Sequence, residues 1–118
     1  MTDIKKLTHA LREEHGTRDP FAIARAMGMQ IIVCPLPESI RGFYLMLFDT
    51  QLIYINDTLE GAPQAETCAH ELGHALMHPD LNTLFIKANT DMLVGRYERE
   101  AELFSVCLLY DDCFAEDC

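Results

Sequence analysis

Basic residues are scarce in this 118-residue sequence: nine Lys and Arg stand against 19 Asp and Glu, which leaves a formal net charge of −10 at pH 7. Binding to nucleic-acid phosphates depends on clustered Lys and Arg, so this charge argues against direct binding to DNA or RNA. Long hydrophobic runs are also lacking. The apolar run from Phe43 to Phe48 is far shorter than the roughly 20 residues that span a membrane, and we expect no membrane protein.

Two further absences bear on the compartment. The first residues, MTDIKKLTHALREEHG, contain no apolar core of the kind found in a secretory signal peptide. The cysteines are five in number and contain no C-x-x-C pair, which suits free thiols in a reducing environment. We therefore expect a cytoplasmic protein.

The composition fits a folded globule, because hydrophobic residues make up 49% of the chain and charged residues 24%. A length of 118 residues suits one domain, which we predict over residues 1–118. The last eight residues, Asp111 to Cys118, are predicted to form an acidic tail.

Four helices are predicted from apolar spacing and from cap residues. Ile4, Leu7 and Leu11 indicate a helix over 3–15, and Asp19-Pro20 begins a second, short helix that pairs with the first as a hairpin. A third helix carries Ala65, Ala69, Leu72 and Leu76 and ends before Pro79. The fourth helix is expected from about Gly95 to Tyr110.

Three strands are predicted between the second and third helices. They cover Met29 to Cys34, Gly42 to Phe48 and Leu52 to Asn56, and the short polar segment Asp49 to Gln51 joins the last two as a hairpin. These elements predict an α+β fold with a small, mostly antiparallel three-stranded sheet packed against the helices.

The third helix contains the sequence His70-Glu71-Leu72-Gly73-His74, an H-E-x-x-H motif. Its two imidazoles lie one helical turn apart on the same face, where both can bind one metal ion. Glu71 lies about 100° round the helix from His70 and about 60° from His74. Its carboxylate can therefore flank the metal and act as the general base. The alternative is a chance occurrence of the motif.

A catalytic zinc site needs a third protein ligand, and the fourth helix offers carboxylates. Glu98 and Glu102 share its inner face, where an unneutralised carboxylate would be costly. We predict Glu98 as the third metal ligand and Glu102 as the acceptor that orients a ligating imidazole. Glu100 points the opposite way and is expected in solvent. The alternative is that these carboxylates pair with Arg25, Arg96 or Arg99 at the surface.

Donors for the transition state are less well defined. His78 lies about 12 Å along the helix from His70, too far to share its ion, and fits a histidine at a helix C-terminus or beside the substrate. The candidate donors to a tetrahedral oxyanion are Tyr44, Tyr54, Tyr97 and His78, among which the sequence does not choose. Cys68 is expected in the core.

These segments resemble the ImmA/IrrE family of metallopeptidases. Ala69 to His78 is similar to the family's H-E-x-x-H helix, and Glu98-Arg99-Glu100-Ala101 to Phe104 is similar to its glutamate-ligand helix. Gly42-Phe43-Tyr44 and Ile53 to Asn56 resemble the strands that precede them. Two positions depart from the family pattern: Glu102 stands where Asn is usual, and Asp111-Asp112 stands where Pro is usual.

The resemblance implies a zincin-like minimal domain with a gluzincin-like site that holds Zn²⁺, although Mn²⁺ also suits two imidazoles and one carboxylate. It also implies an endopeptidase that cleaves a helix-turn-helix transcriptional repressor of a mobile element or of stress genes. That repressor would be supplied in trans. The competing hypothesis is an antirepressor that uses a structural metal site and binds its partner without cleaving it.

Overall fold

A computed structural model of the chain describes residues 3–84 and 94–110, except for the side chain of Val94. The four predicted helices and the three predicted strands all recur within a few residues of their expected ends. The elements are α1 (Ile4–His15), α2 (Pro20–Ala26), β1 (Gln30–Cys34), β2 (Gly42–Leu47), β3 (Thr50–Asn56), α3 (Gly61–Met77) and α4 (Val94–Tyr110). The expected acidic tail lies outside the described residues, and the single domain over 1–118 stays a prediction.

Both N-terminal helices begin at an aspartate cap. The Asp3 side chain accepts a hydrogen bond from the backbone N–H of Lys6, and Asp19 accepts one from Phe21. The expected helical hairpin is not the main packing arrangement, because α1 packs against α4 while α2 packs against α3 and β1. Each helix thus buries its apolar face against the rest of the fold.

Two arginines near the N-terminus contact the carboxyl end of α4. Arg12 donates a hydrogen bond to the carbonyl oxygen of Cys107 at 2.8 Å, and Arg18 donates one to that of Leu109 at 2.9 Å. The last carbonyls of a helix have no partner within the helix, and cations there are favoured by the helix dipole. These arginines therefore stabilise the end of α4.

The predicted α+β fold with a three-stranded sheet is confirmed, and the sheet is mixed, with one antiparallel and one parallel pair of strands. Its order is β1-β3-β2, with β2 antiparallel and β1 parallel to the central strand β3. The loop after β1 leads to the far edge of the sheet, where β2 lies. The next strand, β3, then lies between β1 and β2. The strand pattern in the sequence gives each strand's buried face but not its neighbour.

The connection between β2 and β3 is two residues long and not the three residues predicted, Asp49 to Gln51. Leu47 pairs with Thr50, so the connection consists of Phe48 and Asp49 alone. Both have positive φ values, 49° and 63°, as in a type I′ turn. This turn matches the right-handed twist of the two strands, although Phe is an unusual residue for it.

The helix α3 is the centre of the core and is buried on almost every side between Thr67 and Ala75. Its contact with α4 is close: a Cβ atom on Gly73 would lie 2.9 Å from Cδ1 of Phe104. Its contact with the sheet is equally close, because a Cβ atom on Gly42 would lie 2.6 Å from the carbonyl oxygen of Tyr54. The expectation that Cys68 is buried is confirmed.

Asn56, at the end of β3, organises the loop between β1 and β2. Its amide nitrogen donates to the carbonyl oxygens of Leu36, Pro37 and Ile40, and its oxygen accepts from Thr58. No helix within residues 3–84 and 94–110 is long and apolar enough to cross a membrane.

Candidate metal centre

His70 and His74 project from α3 toward α4. The His74 side chain is fully buried and that of His70 is 16% exposed. Their rings meet edge to face with centroids 5.0 Å apart, as expected for imidazoles one helical turn apart. Both Nε2 atoms are therefore directed at the same point on the neighbouring helix.

The Glu98 carboxylate of α4 occupies that point. Its Oε1 lies 2.8 Å from Nε2 of His70, and its Oε2 lies 3.0 Å from Nε2 of His74. One donor atom from each of the three side chains can be chosen so that all lie within 4.8 Å of one another. Tetrahedral ligands at 2.0–2.1 Å from zinc are about 3.3 Å apart, so only small shifts separate this cluster from coordination geometry.

The ring nitrogens provide a second test of the fit. Four of them face carboxylate oxygens: both of His70, Nε2 of His74 and Nε2 of His78. Each of these four contacts needs a proton on the ring nitrogen. The contact between Nδ1 of His74 and Nδ1 of His78, which are 3.1 Å apart, needs a fifth proton. Three neutral imidazoles carry only three ring protons. The five contacts thus require two more positive charges, which a divalent cation on the two Nε2 atoms would supply.

Glu71, the predicted general base, is buried with 2% of its surface exposed. Its Oε1 accepts a hydrogen bond from the hydroxyl of Thr83 at 3.4 Å. The same hydroxyl accepts from the backbone N–H of Tyr44 at 2.6 Å and lies 3.1 Å from the Tyr44 carbonyl oxygen. Thr83 therefore joins Glu71 to the backbone of β2.

Glu102 lies beside His70, with Oε1 3.3 Å from Nδ1, and its side chain is 69% exposed. The predicted role of Glu102, as the acceptor that orients an imidazole, stays a prediction. Its contact is longer and more exposed than the contacts of Glu98.

Glu100 is not directed into solvent, which corrects the expectation for it. Its Oε1 accepts from Nε2 of His78 at 2.6 Å. The reason is the orientation of α4, whose buried centre runs through Ala101, Phe104 and Leu108. At about 100° per residue, Glu98 and Glu100 lie on opposite flanks of that centre, and both reach α3.

The three tyrosines named as oxyanion donors occupy different surroundings. The Tyr44 hydroxyl donates to the carbonyl oxygen of Pro79 at 2.6 Å and accepts from Gln51 at 3.1 Å, and burial raises the pKa of this phenol. Tyr54 stacks on Phe43 with ring centroids 4.5 Å apart. Tyr97 meets His78 edge on at 4.8 Å. Which of these residues, or His78, acts on a substrate stays a prediction.

Sequence reasoning missed Thr83 and the partnership of His78 with Glu100. Thr83 follows α3 in a segment with no periodic pattern, so nothing in the sequence placed it beside Glu71. His78 did carry a signal, because it continues the four-residue spacing of His70 and His74. It caps α3 with a non-helical backbone, φ −134° and ψ 55°.

Residues 24–118 match the family model described as the IrrE N-terminal-like domain. The chain is 38% identical over 111 residues to an uncharacterized immunity region protein of Bacillus phage phi105, covering 94% of this chain and 70% of that protein. It is also 30% identical over 111 residues to the metallopeptidase ImmA of Bacillus subtilis (strain 168), covering 92% of this chain and 64% of that protein.

The chain thus spans roughly two-thirds of the length of these two relatives. The family model covers both α3 and α4, which carry the candidate cluster of His70, His74 and Glu98. The sequence resemblance noted above is therefore confirmed, and the chain belongs to the ImmA/IrrE family of metallopeptidases.

Proposed function

We propose that this protein is a zinc-dependent endopeptidase in which His70, His74 and Glu98 bind the metal and Glu71 is the general base. Membership in a metallopeptidase family implies a metal and a protein substrate. The observation that carries the proposal is the meeting of two imidazoles from α3 and one carboxylate from α4 within 4.8 Å. A set of two His and one Glu is a common catalytic zinc set and leaves a position open for water.

Bound zinc would lower the pKa of water to about 7 and polarise the carbonyl of the scissile peptide. We assign the proton transfers to Glu71, which takes the proton from the attacking water and delivers it to the leaving amine. Thr83 supports this role, because its hydroxyl contacts the Glu71 carboxylate and is itself held by the backbone of Tyr44. Glu102 is assigned to hold the His70 ring in orientation.

The substrate we propose is a helix-turn-helix transcriptional repressor, cleaved in the cytoplasm and supplied in trans. One relative is named as an immunity region protein of a phage, which suits control of a mobile element, and the other is named as a metallopeptidase, which suits cleavage. The net charge of −10 supports a protein substrate over direct contact with DNA.

The experiment compares wild type with Glu71→Gln on the repressor encoded beside this protein, with mass spectrometry of the products. Wild type loaded with zinc should create new termini, and Glu71→Gln should lower the cleavage rate by about 100-fold or more while its zinc content stays at one ion per chain. The matched control is Glu60→Gln, at the start of α3, where the side chain makes no capping hydrogen bond.

A stable complex with an uncut repressor, formed equally by wild type and Glu71→Gln, would contradict the peptidase and support the antirepressor. Full cleavage by Glu71→Gln would remove Glu71 from the mechanism. Elemental analysis of protein purified without chelator decides between zinc and manganese, since both fit two imidazoles and a carboxylate.

A further inference from the structure

The buried His78 and the partly exposed Glu100, whose side chain is 34% exposed, extend the candidate metal centre. Nδ1 of His78 lies 3.1 Å from Nδ1 of His74, and Nε2 of His78 lies 2.6 Å from Oε1 of Glu100. The His74 side chain is fully buried and that of His78 is 7% exposed. Tyr97 closes one side of the pair, with its ring edge on to His78 at 4.8 Å.

The tautomers of this chain of contacts are linked. An imidazole that binds a metal through Nε2 carries its proton on Nδ1 and needs an acceptor there. For His74 the acceptor is Nδ1 of His78, which can accept only when the His78 proton is on Nε2. Glu100 then accepts that proton's hydrogen bond. Every contact is satisfied with both imidazoles neutral.

We propose that His78 and Glu100 are positioning residues that fix the tautomer and the orientation of His74 for metal binding. This assignment rests on the metal site of the proposed function. It replaces a direct role of His78 at the substrate, because both ring nitrogens of His78 are already used by His74 and Glu100.

The two ligating imidazoles are supported unequally. His70 has the exposed Glu102 at 3.3 Å, whereas His74 has a buried imidazole that is in turn held by a carboxylate at 2.6 Å. A hydrogen bond away from water is stronger, and its loss leaves a buried polar group without a partner. Disrupting the His78 arm should therefore weaken the metal site more than disrupting Glu102.

The test measures the zinc dissociation constant of the full chain by competition with a chromophoric chelator. His78→Leu removes the acceptor and should weaken zinc binding by about 10- to 100-fold. His78→Asn keeps an acceptor oxygen close to the position of Nδ1 and should restore binding to within about threefold of wild type. Glu100→Gln should weaken binding more than Glu102→Gln, and the exposed Glu38→Gln is the neutral control.

Nitrogen-15 NMR of the zinc-loaded wild type shows which ring nitrogen of each histidine carries the proton. A merely structural role of His78 would not require a particular position for these protons. His74 should carry its proton on Nδ1 and His78 on Nε2. A His78 proton on Nδ1 would overturn the proposal, as would equal zinc affinities of wild type, His78→Leu and Glu100→Gln. If His78→Leu does not fold, the proposal is still tested by the zinc affinities of His78→Asn and Glu100→Gln and by the tautomers that NMR measures.

The outcomes separate this inference from the proposed function. A wild-type protein that binds no zinc would overturn both. Tight zinc binding with the expected tautomers, but without cleavage of the repressor, would support the positioning pair and contradict the peptidase.

Discussion

Gly73, the residue before His74, lies against the side chain of Phe104, which is fully buried. A Cβ atom there would lie 2.9, 3.0 and 3.1 Å from three atoms of Phe104, so Gly73→Ala forces the two helices apart. Overpacking costs about 1–3 kcal/mol, which exceeds the gain of about 1 kcal/mol from placing Ala in a helix. We expect a net loss of about 1 kcal/mol in the free energy of unfolding, measured by urea denaturation.

The same shift should weaken zinc binding, because His74 and Glu98 lie on opposite sides of this contact. Gly95→Ala is the control, since among the residues that the structure describes its Cβ atom would meet the end of the Arg99 side chain, at 3.2 Å. It should be neutral or stabilising. Gly73→Ala protein as stable as wild type would mean that Phe104 can move without cost.

At the scale of elements, the β2–β3 turn is the clearest local conflict between sequence and backbone. Phe48 and Asp49 both have positive φ, and the Phe48 side chain is 90% exposed. A left-handed backbone costs a non-glycine residue about 1–2 kcal/mol, and Asn-Gly is the preferred pair for this turn. Replacing Phe48→Asn together with Asp49→Gly should raise the free energy of unfolding by about 1 kcal/mol in urea denaturation.

Phe48→Ala alone is the matched control, because it removes the exposed ring but keeps a residue that disfavours positive φ. It should leave stability nearly unchanged. If the double variant were less stable than wild type, Phe48 would be making a contact that outweighs the turn geometry.

The elements also explain what the sequence could and could not predict. His70, His74 and Glu71 follow from spacing within one helix, and Glu98 from the inner face of another, so the core of the site was accessible to local rules. The partner of β1 was not, since strand alternation does not specify a neighbour. The contact of Glu100 with His78 could not be predicted either. The helical period fixes only the angles between residues of α4, whereas the side of α4 that faces inward is set by packing, as in the contact of Phe104 with Gly73.

At the scale of the whole molecule, the candidate metal centre takes its side chains from two helices, α3 and α4. A ligand that binds only the folded state stabilises it by about 2.7 kcal/mol at a concentration 100 times its dissociation constant. We expect saturating zinc to raise the thermal midpoint by several degrees, and a chelator to reverse the change. Calorimetry with and without zinc measures it.

Glu98→Gln should lose most of this zinc response, while Glu38→Gln, on the exposed loop after β1, should keep it. A wild-type midpoint that does not respond to zinc would contradict the link between metal binding and folding.

The hydrogen bonds from Arg12 and Arg18 to α4 bear on the shortest polypeptide that keeps the end of α4 in place. The family model starts at residue 24, beyond both arginines and beyond α1. A polypeptide trimmed to that boundary would lose the two guanidinium groups that hold the carboxyl end of the Glu98 helix. Arg12 and Arg18 thus support the helix that carries Glu98 from its carboxyl end, at Cys107 and Leu109, and not at Glu98 itself.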